Sequence, residues 1–297
     1  MRKACVVLLS LLLLCWGVVL TAFANRLPVQ ATQISVVRVK STAIKVIPTS
    51  TKIVPTPTHA RPSPVARASA TPIPTPPALS GDNVNATIPA GVRKNIFFNG
   101  NTSLHEIALT FDDGPHPIYT LQVLHILQEY GVNATFFCIG RQVLPYASIV
   151  AQVSRAGNVI GDHTWDHFDM TRLSIAGMQW ELNRTANAIV LATGVRPVLF
   201  RPPYGFINTT VKNVSTQLGL TPVMWNVDPN DWRLPGTDAI VQRVLANTGN
   251  GSVILMHDGG GNRSQTVQAL PQIIAGLHQR GFRFVTVPQL MADSARG

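Results

Sequence analysis

Cysteine is nearly absent: three occur in 297 residues, and two of these, Cys5 and Cys15, lie at the very start of the chain. Only Cys138 remains, within the apolar run Phe136-Phe137-Cys138-Ile139. No disulfide framework can therefore form in a mature chain, and burial alone must stabilise its core. Cys138 itself reads as a small buried hydrophobe rather than a nucleophile. Acids are scarce at one end. Residues 1–96 contain eleven Lys/Arg and a single acid, Asp82; set against chain totals of 24 basic and 14 acidic residues, this leaves thirteen of each in 97–297. The net charge of +10 thus belongs to the N-terminal third, and the rest is neutral. That distribution argues against a nucleic-acid partner. A basic tether beside a neutral domain suits an anionic surface such as lipid headgroups or wall polymers.

Arg2 and Lys3 precede an apolar run from Val6 to Ala24, which closes on Ala22-Phe23-Ala24 before Asn25. This is the pattern of a secretory signal over 1–25. The run is also nearly long enough to span a bilayer, so an uncleaved signal anchor over residues 4–24 is the alternative, and the only membrane contact we expect. Either reading exports the remainder of the chain towards the cell wall. Nine prolines fall between Pro48 and Pro77, interleaved with Thr, Ser, Ala and Arg. Such a segment builds neither ladder nor helix, so residues 26–96 read as a disordered spacer. At about 3.1 Å per residue it would reach roughly 200 Å.

The texture changes from about residue 104, where short apolar runs alternate with helical periodicity. Strands are expected at Ile107–Phe111, Ala134–Ile139, Val159–Ile160, Val198–Phe200, Pro222–Trp225, Ser252–Met256 and Phe282–Val287. Between them, Tyr119–Tyr130 carries Leu121, Leu124 and Leu127 at helical spacing. Ser174 and Thr237 are placed as N-caps of helices running to about Leu191 and Asn247. A last helix is expected near Gln265–Gln279. Alternation of this kind implies parallel strands with helices outside, a barrel-like α/β enzyme over 97–297.

Five polar motifs punctuate this region: Thr110-Phe111-Asp112-Asp113-Gly114, His163-Thr164-Trp165-Asp166-His167, Arg201-Pro202-Pro203-Tyr204, Asp228-Pro229-Asn230-Asp231-Trp232 and Leu255-Met256-His257. Several follow expected strands directly, and parallel strands bring their C-terminal ends to one rim. His163 and His167, four apart on an expected helical turn, suit a borderline divalent metal such as zinc. Asp112 and Asp113 could be simple turn formers. Two adjacent acids after a buried strand, however, repel unless a cation or a proton separates them. His257 could be a structural strand-end histidine or a general acid titrating in the useful range.

Together the five motifs resemble those of the polysaccharide deacetylases, the NodB-homology domain of carbohydrate esterase family 4, from about Leu104 to Val287. The resemblance implies a distorted (β/α) barrel with its site at the C-terminal rim. It implies Asp113, His163 and His167 as ligands of one divalent metal, zinc first and cobalt as a substitute. It further implies Asp112 as general base, His257 as general acid, Arg201 as orienter of the base, and Asp231 as the group tuning His257, with Asp228 as second choice. The backbone N–H of Tyr204 would hold the oxyanion, and Trp232 and Leu255 would shape a pocket for the acetyl methyl.

The expected activity is metal-dependent hydrolysis of N-acetyl groups on a glycan by an exported monomer. Peptidoglycan N-acetylglucosamine is favoured and chitin-type oligomers come next. An O-acetyl xylan esterase using the same site, and a glycan-binding pseudoenzyme, are the competing readings.

Overall fold

The computed structural model describes residues 95–296. The leader at 1–25 and nearly all of the spacer at 26–96 lie outside the described residues. Among these residues seven strands, all paired in parallel, form one curled sheet. They are β1 (Glu106–Asp112), β2 (Thr135–Cys138), β3 (Val159–Asp162), β4 (Leu199–Phe200), β5 (Thr221–Pro222), β6 (Val253–His257) and β7 (Arg283–Phe284). Their order is β5-β4-β3-β2-β1-β6, with β7 beside the start of β1. Beyond β5 the chain crosses to the opposite edge, where Val227 bridges Ile254 of β6. That crossing gives the distorted (β/α) barrel its curl.

Among the described residues, eight α-helices surround the strands: α1 (Tyr119–Glu129), α2 (Gly140–Val143), α3 (Ala147–Arg155), α4 (Ile175–Thr193), α5 (Thr209–Gln217), α6 (Thr237–Asn247), α7 (Ser264–Gln279) and α8 (Val287–Ser294). Among the described residues no helix is long and apolar enough to cross a membrane.

All seven residues of β1 are buried, as a strand covered on both faces requires. Ile107, Leu109 and Phe111 face the helices and pack with Val123, Leu124 and Leu127 of α1; Phe111 stacks on Phe136 with ring centroids 5.1 Å apart. Each such side chain contributes about 1.5–3 kcal/mol when fully buried. The alternate residues face the barrel interior, where Ala108 joins Phe137, Val159, Leu199, Val223 and Val253. By the same alternation, Thr110 and Asp112 point inward at the rim.

Local signals explain most boundaries, and several expectations change; the strand expected at Pro222–Trp225 is Thr221–Pro222. Ser174 caps α4 as expected, its Oγ accepting from the Gly177 N–H at 3.1 Å, and Gly194 ends the helix in the left-handed region. Thr237 is not a cap. Gly236, with φ of 102°, occupies that position, and Thr237 is the first helical residue. Leu121 is 36% exposed, and Thr120 and Val123 share the buried face of α1 instead. Three-residue steps each fall about 60° short of a full circle, so Leu121 drifts off the stripe that holds Leu127. The last strand stops at Phe284, and Val287 opens α8 because Pro288 suits a first helical turn and cannot serve a ladder.

Candidate active site

The C-terminal ends of β1, β3, β4 and β6 deliver Asp112, His163, Arg201 and His257 to one rim. Asp112 and His257 are register partners on adjacent strands. Arg201 is wholly buried. Its Nη1 donates to Asp112 Oδ1 at 2.8 Å and to Thr110 Oγ1 at 2.7 Å, Nε to the Val223 carbonyl at 3.2 Å, and Nη2 to the Met224 carbonyl at 3.1 Å. The guanidinium also lies 4.2 Å from the centre of the Phe137 ring. A buried cation needs such compensation, and a planar fork with this many donors can aim one carboxylate.

Asp113 has a φ of 71°, which turns its side chain from the interior towards the β3 loop. Its Oδ1 lies 3.5 Å from His163 Nε2 and 3.2 Å from His167 Nε2. The carbonyl of Arg201 can only accept, so the His163 Nδ1 atom 2.7 Å away must carry the proton. That leaves Nε2 free to face Asp113. The expectation of a helical turn between the histidines is corrected. Residues 163–167 form a loop, with φ of 63° at Thr164 and 62° at His167. The imidazoles converge through these two left-handed residues rather than through helical spacing.

The donor set suits a divalent cation. Asp113, His163 and His167 each offer one ligand atom, all within 4.8 Å of one another. Asp113 Oδ1 is buried with no hydrogen-bond donor among the described residues, an acceptor that a cation would satisfy. Burial alone would raise the Asp113 carboxyl, but the neighbouring His163, His257 and His167 hold it well below the usual carboxylate range. Burial, reinforced by His163, lowers His167 to about 4, which keeps it a neutral ligand.

His257 is built differently. Asp231 Oδ1 lies 2.8 Å from its Nδ1, and burial, which would lower its pKa, is overcome by that carboxylate, which lifts it to about 9. Asp228 does not reach the ring; its Oδ1 accepts from the Asn230 N–H at 2.7 Å and shapes the turn. Tyr204 sits in a short 3-10 turn with φ of 61°, its exposed ring edge-on to His167 at 4.7 Å. Trp232 is half-exposed, with the Arg233 guanidinium 4.4 Å above its ring. Leu255 is buried in β6, two residues before His257, and faces the interior with it.

Two acids here escape a reading by motif. Asp258 is buried, accepts from Thr120 Oγ1 at 2.5 Å, and is pushed up to about 7 by burial. Glu181, on α4, accepts the N–H groups of Trp165 and Asp166. Asp258 follows His257 directly and could have been suspected from that alone. Glu181 carries no local signal.

Comparison with known proteins points to one family. The sequence profile of the polysaccharide deacetylases matches residues 99–223. A peptidoglycan-N-acetylglucosamine deacetylase of Bacillus cereus is 42% identical over 187 residues, covering 62% of this chain and 87% of that protein. A chitooligosaccharide deacetylase of Rhizobium leguminosarum bv. trifolii is 40% identical over 194 residues, covering 62% of this chain and 90% of its own length. A crystal structure of a peptidoglycan N-acetylglucosamine deacetylase bound to 4-naphthalen-1-yl-N-oxidanyl-benzamide superposes with a TM-score of 0.64 at 35% identity, covering 66% of this chain and 92% of the other. With the curled parallel sheet and the rim motifs already in place, the chain belongs to the polysaccharide deacetylase family.

Proposed function

We propose that this protein is an exported hydrolase that removes N-acetyl groups from a glycan, with peptidoglycan N-acetylglucosamine as first substrate and chitin-type oligomers next. The supporting observation is that Asp112, held by Arg201, and His257, held by Asp231, are register partners on adjacent strands at the rim that also carries the Asp113–His163–His167 cluster. Relatives named for peptidoglycan and for chitooligosaccharides support the substrate order. The basic leader and the Pro/Thr spacer support export to a wall-facing position.

Asp113, His163 and His167 would hold the divalent ion, with zinc as first choice for two imidazoles and a carboxylate. Once bound, it supplies Lewis acidity towards the acetyl carbonyl and towards water. The chain's own groups do the rest. Asp112, aimed by Arg201, takes a proton from the attacking water, worth about 10²–10⁴-fold. The Tyr204 N–H donates to the oxyanion as the carbonyl carbon becomes tetrahedral. Trp232 and Leu255 wall a small space for the methyl group. His257, protonated up to about pH 9, has Nδ1 committed to Asp231 and so uses Nε2 to protonate the departing nitrogen. The C–N bond breaks, and acetate and a free amino sugar leave.

The test is acetate release by the purified full chain from N-acetylglucosamine oligomers, peptidoglycan and O-acetylated xylan. We expect release from the N-acetyl substrates, arrest by a chelator, and recovery with zinc or cobalt. Release from acetylated xylan alone would overturn the amide reading.

A further inference from the structure

The loop 163–167 sets the metal site, yet two of its five residues hold left-handed conformations that L side chains seldom adopt. Something must restrain it, and the fate of its peptide N–H groups shows what does. His163 N donates to the Cys138 carbonyl at 3.0 Å, Thr164 N to Asp162 Oδ1 at 2.8 Å, and His167 N to Thr164 Oγ1 at 3.1 Å. Those partners are the neighbouring strand and the loop itself. The two central donors, Trp165 N and Asp166 N, both go to one atom, Glu181 Oε2, at 2.7 and 2.9 Å. Glu181 is 3% exposed and lies fifteen and sixteen residues further along the chain, on the buried face of α4 beside Leu182 and Thr185.

The same helix grips the loop from above. The Arg184 guanidinium lies 4.0 Å from the Trp165 ring centre and 4.8 Å from that of Trp180. Two loop carbonyls are also taken, by Gly140 N at 2.9 Å on Thr164 and Arg141 N at 3.2 Å on Trp165. Strand and helix thus fix the loop before any ion arrives.

Resting on the metal reading above, we propose that Glu181 is the positioning residue of the metal site: by accepting the two N–H groups midway between His163 and His167, its Oε2 sets their spacing. Glu181 touches neither metal nor substrate. An outer partner of this kind typically changes metal affinity about 10–100-fold when removed. A single acceptor oxygen carries the role, so the amide oxygen of glutamine, which occupies the same place, can replace it, whereas the shorter aspartate reaches the two N–H groups poorly.

The experiment titrates cobalt into metal-free full-length protein, following visible absorption, for the wild type, Glu181→Gln, Glu181→Met, Glu181→Asp and His163→Ala. The thermal midpoint of each metal-free protein is recorded alongside. We expect Glu181→Gln to bind within a few-fold of wild type, Glu181→Met about 10–100-fold more weakly, and Glu181→Asp in between. A lowered midpoint with unchanged cobalt affinity in Glu181→Met would reduce Glu181 to a structural residue and overturn the proposal. So would a Gln variant as weak as Met, because charge rather than the acceptor's position would then be in control. Should Met prove too unstable to titrate, the Gln and Asp pair decides by the same rule, equal affinities overturning the proposal. Failure of the wild type itself to bind, with His163→Ala indistinguishable from it, would remove the metal reading and this inference with it.

Discussion

Asp231 holds His257 at two points: its Oδ1 lies 2.8 Å from the ring Nδ1, and its Oδ2 accepts the His257 peptide N–H at 2.9 Å. Thr266 Oγ1 donates to the same Oδ2 at 2.7 Å, so the carboxylate cannot swing away. Orientation and protonation of His257 therefore have one source. The imidazolium is favoured because its partner is charged, wholly buried and fixed.

Replacing Asp231 by Asn should keep much of the geometry while removing the charge. Burial would then be opposed only by the charges of Asp112 and Asp113, and the His257 pKa should fall from about 9. The proposed reaction uses protonated His257, so the alkaline limb of kcat/KM should move to lower pH, with a larger loss at about pH 8 than at about pH 6. A pH–rate profile measures this, and an unmoved alkaline limb would show that His257 is not the acid. Stability carries the same signature. A histidine raised in the folded state contributes fully below about 6.5 and loses that contribution as pH rises towards about 9, so wild-type protein should lose more stability than Asp231→Asn across that window.

Arg201 makes four hydrogen bonds through three nitrogens, and one of them fixes Asp112. Arg201→Met should leave a buried carboxylate without its counter-ion and cost about 3–5 kcal/mol in chemical denaturation. Arg201→Lys should recover only part of that, since one ammonium cannot reach Asp112, Thr110 and both carbonyls at once. Equal stability of the Lys variant and wild type would mean that charge alone suffices.

The metal-ligand set and Asp112 should separate cleanly in metal content. His163→Ala removes an atom of the donor set and should lose the ion, whereas Asp112→Asn should retain it and lose turnover by about 10²–10⁴-fold. Elemental analysis of both purified variants checks the division. Loss of metal from Asp112→Asn would exchange the roles of Asp112 and Asp113.

How far the sequence announced all this depends on how local each signal is. Residues following apolar strand runs, such as Asp112, Arg201 and His257, were legible because parallel strands must end together. The histidine pair was found for a wrong local reason, since spacing alone cannot distinguish a helical turn from a loop carrying two positive φ angles. Thr237 looked like a cap because its chemistry fits one, but the glycine before it took the position. Glu181 was invisible: on α4 it is one more polar residue, and its meaning comes entirely from the loop that tertiary packing lays against it.

Deleting residues 26–96 should leave turnover on soluble oligomers unchanged, since every site residue lies beyond that segment. Phe97 must stay. Its N–H donates to the Pro222 carbonyl at 2.9 Å and its carbonyl accepts from Met224 N at 2.7 Å, which braces the strand whose Val223 and Met224 carbonyls hold Arg201. Removal of four further residues should therefore reduce both stability and activity. Comparing the two truncations on the same oligomer separates a spacer from a structural element.

Gly260 offers a test of the metal pocket from its far side. It has a φ of 71°, and a methyl group there would lie 2.3 Å from Asp113 Oδ2, an approach no Cβ tolerates. The neighbouring Arg263 side chain donates to the Gly259 carbonyl at 2.6 Å and the Gly260 carbonyl at 3.0 Å, so the loop cannot easily retreat. In Gly260→Ala the Asp113 carboxylate must therefore give way. The left-handed backbone costs about 1–2 kcal/mol for any L side chain, which should appear as a modest fall in stability. The larger effect should be on metal affinity, because the displaced carboxylate is one of three donors. Cobalt titration and a denaturation curve on the same variant distinguish the two: weakened binding beyond the stability loss places Gly260 against the site, whereas a stability loss with full cobalt affinity would mean that the carboxylate has room the geometry denies it.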